Sequence, residues 1–264
     1  MTESSTVLYA VQEHVATIRL NRPSSLNAMT TELMKNLSDA VGRAATDKSV
    51  RALVITGNGR GFCAGADLSA QADAKRSDQA PNGQADDHFN GAMRAINQCP
   101  VPTVARVNGA AAGGGFGLAL SCDITVAAKS AFFVATFGPR LGIVPDLGTT
   151  WNLPRKVGRA RALGITMLGD RISADQAEEW GLIWKCVADD QLDNEVNSIT
   201  QRLARTSAEA MTRIRSVTDA ASANNFSDQL DLEMEHQAVL IPKNMTAAAN
   251  AFMEKREPEF PERS

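Results

Sequence analysis

Of the 264 residues, the segment Val104–Asp123 restricts the fold most. It runs as an apolar strand through Val107, turns at Asn108-Gly109, and enters a helix that opens on Gly113-Gly114-Gly115. Glycine costs a helix about 1 kcal/mol relative to alanine, so three in succession at a helix start imply backbone that must approach something closely. The first N–H groups of a helix have no internal acceptor and sit at the positive end of its dipole. A strand feeding such a turn is suited to hold an anion or an oxyanion. Tight helix–sheet packing without a ligand would leave the same pattern, and this stretch alone leaves both readings open.

A chain of this length forms one large domain, or a domain with an appendage. A net charge of -3 lacks the basic footprint of a nucleic-acid partner. No apolar run reaches the ~18 residues that span a bilayer, and Met1–Thr6 lacks the basic-then-apolar pattern of a signal peptide. Cys63, Cys99, Cys122 and Cys186 form no Cys-x-x-Cys pair and read as reduced, mostly buried thiols of a cytoplasmic protein. His14, His88 and His236 are equally scattered, so no metal site is expected.

Val7–Val11 and Val15–Leu20 read as a hairpin with His14 in its turn. Apolar residues at helical spacing predict a helix over Thr31–Ala45, and the continuous apolar run Ala52–Thr56 predicts a strand covered on both faces. Gly57–Leu68 contains glycines but matches neither a nucleotide P-loop nor a dinucleotide fingerprint. Ser69–Asp87 has the composition of a surface loop or lid. Ile124–Ala128 and Ala131–Ala135 are further short strands. Leu141–Gly148 sets one carboxylate, Asp146, among apolar residues, where burial would raise its pKa into a range useful for proton transfer; a turn aspartate is the alternative. The remainder is helical: a capped helix from Ser173 to Gly181, then Asn194–Arg205, Ala208–Ala221, Asp228–Leu240 and Asn244–Lys255, with a loose tail from Pro258. No repeat of fixed period is evident.

Three ordered segments together carry a resemblance. Asn21-Arg22-Pro23 with Leu26–Met29, then Gly61–Leu68, then Val107–Gly115 are similar to the crotonase (enoyl-CoA hydratase/isomerase) superfamily, and the likeness continues through Ser173–Leu182. It implies an α/β fold: a spiral of ββα units forming two nearly perpendicular sheets over about residues 1–200, then a helical region, 201–264, used for trimerisation. It implies an acyl-CoA thioester as substrate, no further cofactor, and a homotrimer or dimer of trimers. Carried over by position, the backbone N–H groups of Ala66 and Gly114 form the oxyanion hole, and backbone at Leu26, Ala64, Asp67 and Leu68 borders coenzyme A.

Hydratases of this family use two glutamates. Here the first of those positions is Gly117 and the second falls at Phe137-Gly138, so the usual hydration machinery is missing. Asp146 remains, and the run Leu141–Ala162 is similar to the branch that isomerises 2-(1,2-epoxy-1,2-dihydrophenyl)acetyl-CoA and to Δ3,Δ2-enoyl-CoA isomerases. The expectation is a thioester isomerase with Asp146 as acid and base. The rival readings are a hydratase, a 4-chlorobenzoyl-CoA-type dehalogenase with His88 and Phe137 beside the acyl group, and a non-catalytic acyl-CoA-binding relative.

Overall fold

The computed structural model describes residues 5–69 and 87–260. Strands β1 (Val7–Gln12) and β2 (Val15–Leu20) form the expected hairpin, paired from Val7↔Leu20 to Gln12↔Val15. Glu13 and His14 make its turn at φ 48 and 66, a mirror-image turn whose twist suits the strands although neither residue is glycine. Helix α1 (Thr31–Thr46) is capped by the Thr30 hydroxyl on Leu33 N–H and buries Leu33, Met34, Leu37, Ala40, Val41 and Ala44. That is the face its periodicity predicts.

From here the chain repeats one pattern. β3 (Ala52–Gly57) enters a first sheet and β4 (Gly61–Cys63) a second, followed by α2 (Asp87–Asn97). β5 (Thr103–Val107) and β6 (Ala110–Ala112) do the same before α3 (Gly114–Leu120). β7 (Ile124–Ala128) and β8 (Phe132–Val134) follow, then one π-type turn, Phe137–Leu141, and α4 (Thr149–Leu168). The sheets close with β9 (Ile172–Ser173), α5 (Ala174–Glu179) and β10 (Lys185–Val187). The six-stranded order is β1-β2-β3-β5-β7-β10 and the four-stranded order β4-β6-β8-β9. Successive units thus lie side by side in both sheets, with β3–β5–β7 and β4–β6–β8 parallel. A structural repeat exists where the sequence shows no fixed period, because the connections between units differ in length.

α6 (Leu192–Arg205) packs on β2, β3, β5 and β7, so residue 200 lies inside a helix of the core. α7 (Ala208–Ala220) is fastened to that core by Arg215, which pairs with Asp123 and donates to the carbonyls of Asn97, Cys99 and Val101. α8 (Phe226–Met253) is one continuous helix, not the two separated near Pro242 that the sequence suggests. Proline removes one hydrogen bond within a helix, and the carbonyl it abandons belongs to Ala238, which is exposed to water. Toward α7, α8 offers polar groups: Gln229 to the Val217 carbonyl, His236 to Arg213, and Lys243 to Glu209. On another face Phe226, Leu230, Met234, Ile241, Met245 and Phe252, spaced by four and seven, form an exposed apolar stripe. Among the described residues no helix is long and apolar enough to cross a membrane.

Candidate active site

Two asparagines, Asn27 buried and Asn108 half-buried, set the first wall. Leu26 and Asn27 turn left-handed at φ 49 and 57, which aims the Asn27 side chain into the protein, where it is fully buried. Its amide donates to the carbonyls of Asn58, Gly61 and Phe62 at 3.0, 2.9 and 3.2 Å, and its Oδ1 accepts from Arg22 N–H at 2.9 Å. Asn108 grips the same loop from β5, donating to the Gly59 carbonyl at 2.9 Å and accepting from Gly57 N–H at 3.2 Å. Each buried carbonyl of this loop left without a donor would cost about 1–3 kcal/mol, so these two side chains decide where Gly57–Phe62 can lie.

β4 then delivers Ala64–Asp67. Ala64 N–H donates to the Leu26 carbonyl at 3.0 Å, Met29 N–H to the Gly65 carbonyl at 2.7 Å, and Asp67 N–H to the Met29 carbonyl at 2.9 Å. This is a single parallel bridge, Met29↔Ala66, in which the groups flanking Ala66 make the bonds. The Ala66 N–H therefore faces away from Met29, and Ala66 itself is exposed. Asp67 is further held by Arg22 at 2.9 Å. Of the segment proposed to border coenzyme A, Leu68 is exposed, Leu26 is half-buried against Gly61, and the N–H groups of Ala64 and Asp67 are already committed within the protein.

The glycine-rich helix forms the second wall. A methyl built on Gly65 (φ 88) would come within 2.8 Å of the Ala112 carbonyl oxygen and 3.1 Å of Gly114 N, so the two peptides proposed to hold an oxyanion lie beside one another. Gly115 meets the carbonyl of Cys63 so closely that any side chain would displace β4. Tight packing and close approach of the Ala66 and Gly114 peptides thus coexist at the start of α3. α3 is seven residues long and wholly buried, so what it offers is the orphan N–H groups of its first turn rather than a long dipole. Behind it, burial pushes the Cys63 thiol up to about 12, which keeps it protonated and excludes it as a nucleophile near neutrality.

The third wall is Gly142–Thr149. Leu147 and Gly148 are both left-handed, φ 49 and 75, immediately before α4. Leu147 is buried, and its Cδ1 would lie 2.8 Å from a methyl on Gly114. The segment carrying Asp146 therefore lies against the glycine-rich helix. The carboxylate environment differs from the expectation: Asp146 is exposed, as are Leu141, Ile143 and Val144 around it. The segment runs along the surface between the π-type turn and α4, so its apolar residues do not desolvate the carboxylate. The Asp146 carbonyl accepts from Thr149 N–H at 2.9 Å, so the turn geometry weighed as an alternative is present too.

The two candidates for the acyl pocket fare differently. Phe137 is 3 % exposed and packs in the main hydrophobic core, which leaves almost no surface for an acyl chain. His88 is exposed near the start of α2, and the expected lid, Ser69–Asp87, falls almost wholly outside the described residues. Sequence reasoning missed Asn27 as a structural plug; the polar residue following Leu26 in a proline-led turn was the available signal.

A family model described as enoyl-CoA hydratase/isomerase matches residues 10–263. The chain is 39% identical over 262 residues to a 1,2-epoxyphenylacetyl-CoA isomerase of Escherichia coli, covering 96% of this chain and 97% of that one. It is 37% identical to a Rhodobacter capsulatus protein named as a probable enoyl-CoA hydratase, covering 97% of each. Among solved structures, an enoyl-CoA hydratase from Polaromonas matches with a TM-score of 0.90 at 32% identity, over 97% of this chain and 99% of that one. Full-length likeness in sequence and backbone establishes that the chain belongs to the enoyl-CoA hydratase/isomerase family.

Proposed function

We propose that this enzyme isomerises acyl-CoA thioesters, moving an enoyl double bond or opening and rearranging a ring-epoxide substrate, with Asp146 as the acid and base. The observation that carries this reading is the seating of the Asp146–Leu147 segment against Gly114 while position 117 holds no carboxylate. Ala66 and Gly114 N–H groups hold the thioester oxygen. Asp146 takes a proton alpha or gamma to the carbonyl, and the two donors stabilise the enolate as charge develops on oxygen. The protonated aspartate then returns the proton at the other carbon. One carboxylate serves both transfers, so neither hydratase glutamate is required. An exposed carboxylate in the free chain is accessible to substrate, and the bound acyl group would itself exclude water from it. Coenzyme A enters as part of the substrate, and no cofactor takes part.

Asp146→Asn is expected to slow double-bond migration in 3-enoyl-CoA thioesters by on the order of 10²–10⁴-fold, with thioester binding retained. A variant isomerising at the native rate would refute the role. Hydration is the second reading, supported by the name of the Rhodobacter relative; rapid conversion of crotonyl-CoA to its 3-hydroxy product would favour it.

The apolar stripe of α8 supports self-association, as a homotrimer or a dimer of trimers. The buried free thiols fit a cytoplasmic location.

A further inference from the structure

We infer that Gly117 is a positioning residue, because its missing side chain is the seat on which the Asp146 segment rests. A methyl built on Gly117 would lie 2.7 Å from the Leu147 carbonyl oxygen, 2.8 Å from Thr149 Oγ1 and 3.3 Å from Leu147 Cβ. The closest of these is backbone, which cannot swing aside as a side-chain tip does. Contrast Gly114, whose nearest neighbours are the Leu147 Cδ1 and Met29 Sδ ends of flexible side chains.

The neighbours on the far side are equally fixed. Leu147 is held in a left-handed conformation that branched and bulky residues seldom adopt, and it is buried there. Thr149 is fully buried, and its hydroxyl has no hydrogen-bond partner among the described residues, so the space beside Gly117 is closed to solvent. Leu147 therefore touches the glycine-rich helix twice, with its side chain on Gly114 and its carbonyl on Gly117. Two contacts on one rigid helix fix the peptide next to Asp146 in both position and orientation.

Position 117 thus does more than lack a glutamate. In this backbone a side chain at 117 and the seated Asp146 segment exclude one another. The inference rests on the Asp146 reading above and adds the device that places the carboxylate.

The test compares Gly117→Ala with the native enzyme in three measurements: amide hydrogen exchange across residues 142–149, kcat and KM for 3-enoyl-CoA isomerisation, and the Kd of a saturated acyl-CoA. Faster exchange in the segment is expected, with kcat lowered roughly 100-fold, as misplacement of a catalytic group by about 1 Å does. KM and Kd should stay within about threefold, since the thioester site is untouched. A native kcat in Gly117→Ala overturns the inference. So does native-rate isomerisation in Gly117→Glu, which would mean that a side chain at 117 and the seated Asp146 segment fit together. If Gly117→Ala does not fold, amide exchange in the native enzyme decides: protection of residues 147–149 comparable to that of α3 is expected, and exchange as fast as in an exposed loop overturns the seat. Asp146→Asn in parallel separates the two claims. A native rate in that variant sinks the acid–base reading, whereas an inactive Asp146→Asn beside a fully active Gly117→Ala sinks only the seat.

Discussion

Asn27 and Glu209 each tie together segments distant in sequence, but in opposite settings. Asn27 is a neutral amide with no exposed surface, spending its donors on three carbonyls of one loop. Glu209 is a charged group at the water's edge, joining Lys243 of α8 and Arg213 of its own helix. Buried neutral hydrogen bonds are insensitive to salt and pH and costly to orphan, whereas exposed ion pairs contribute little and respond to both. The walls beside the glycine-rich helix are built by the first method and the C-terminal helical pair by the second. Accordingly, the site is a property of the single folded core, while the last helix is loosely tied and presents an unburied apolar stripe.

The sharpest way to break this contrast is Asn27→Ala. It removes the donor to the Asn58, Gly61 and Phe62 carbonyls; Gly61 keeps Asn108 at 3.3 Å, while Phe62 stays fully buried. At about 1–3 kcal/mol per buried group left without its partner, here the Phe62 carbonyl and the Arg22 N–H that loses Oδ1, a loss of at least ~2 kcal/mol is expected in urea unfolding. A cost below ~0.5 kcal/mol, ordinary for a surface residue, would show that the amide does not hold the loop.

Next in size is Met234→Glu on the α8 stripe. Met234 is 65% exposed in the single chain, so melting of an isolated protomer should move little. Sedimentation should nevertheless show a smaller assembly, because each such side chain withdrawn from water stabilises an interface by about 1.5–3 kcal/mol. An unchanged mass would mean that this stripe is not where copies meet.

The smallest effect is a pH dependence confined to α7 and α8. The hydrogen bond from Lys243, opposed by slight desolvation and aided by Arg213, holds the Glu209 carboxyl below its ordinary 4.5. A carboxylate with a depressed folded pKa is protonated first in the unfolded chain. Its contribution is therefore complete above the ordinary value and disappears as pH falls through the lower folded one. Because the pair is partly exposed, less than ~1 kcal/mol is at stake. Hydrogen exchange in α8 should quicken on acidification, and Lys243→Met should remove much of that dependence. Equal quickening in β3 and β5 would contradict the separation of the two regions.

Much of the frame was legible before the structure. β3 and β7 are unbroken apolar runs because both faces are covered, and α1 shows a clean helical stripe; their boundaries match the sequence within a residue or so. β4, β6, β9 and β10 were not legible, since two or three residues cannot display a period. Gly113–Gly115 announced a close approach but could not name Cys63 as the neighbour at Gly115. Asp146 was located, but the sequence left a buried carboxylate and a turn aspartate both open, because apolar neighbours in sequence bury a carboxylate only when the fold turns them inward. The pairing of Gly117 with Leu147 joins two stretches of different elements, and no local pattern reports it.

The unequal units of the double sheet carry one more implication. β3 lies beside β5, and β5 beside β7, although the chain between the first two is far longer than between the second two. Strand neighbours set the register, while lengthening a connection costs only about 0.6 kcal/mol per doubling. A chain built this way can lengthen, shorten or rewrite the excursion after Ala66 and still return to the same rung. The excursions can then change while the core strands, and the walls they position, keep their places.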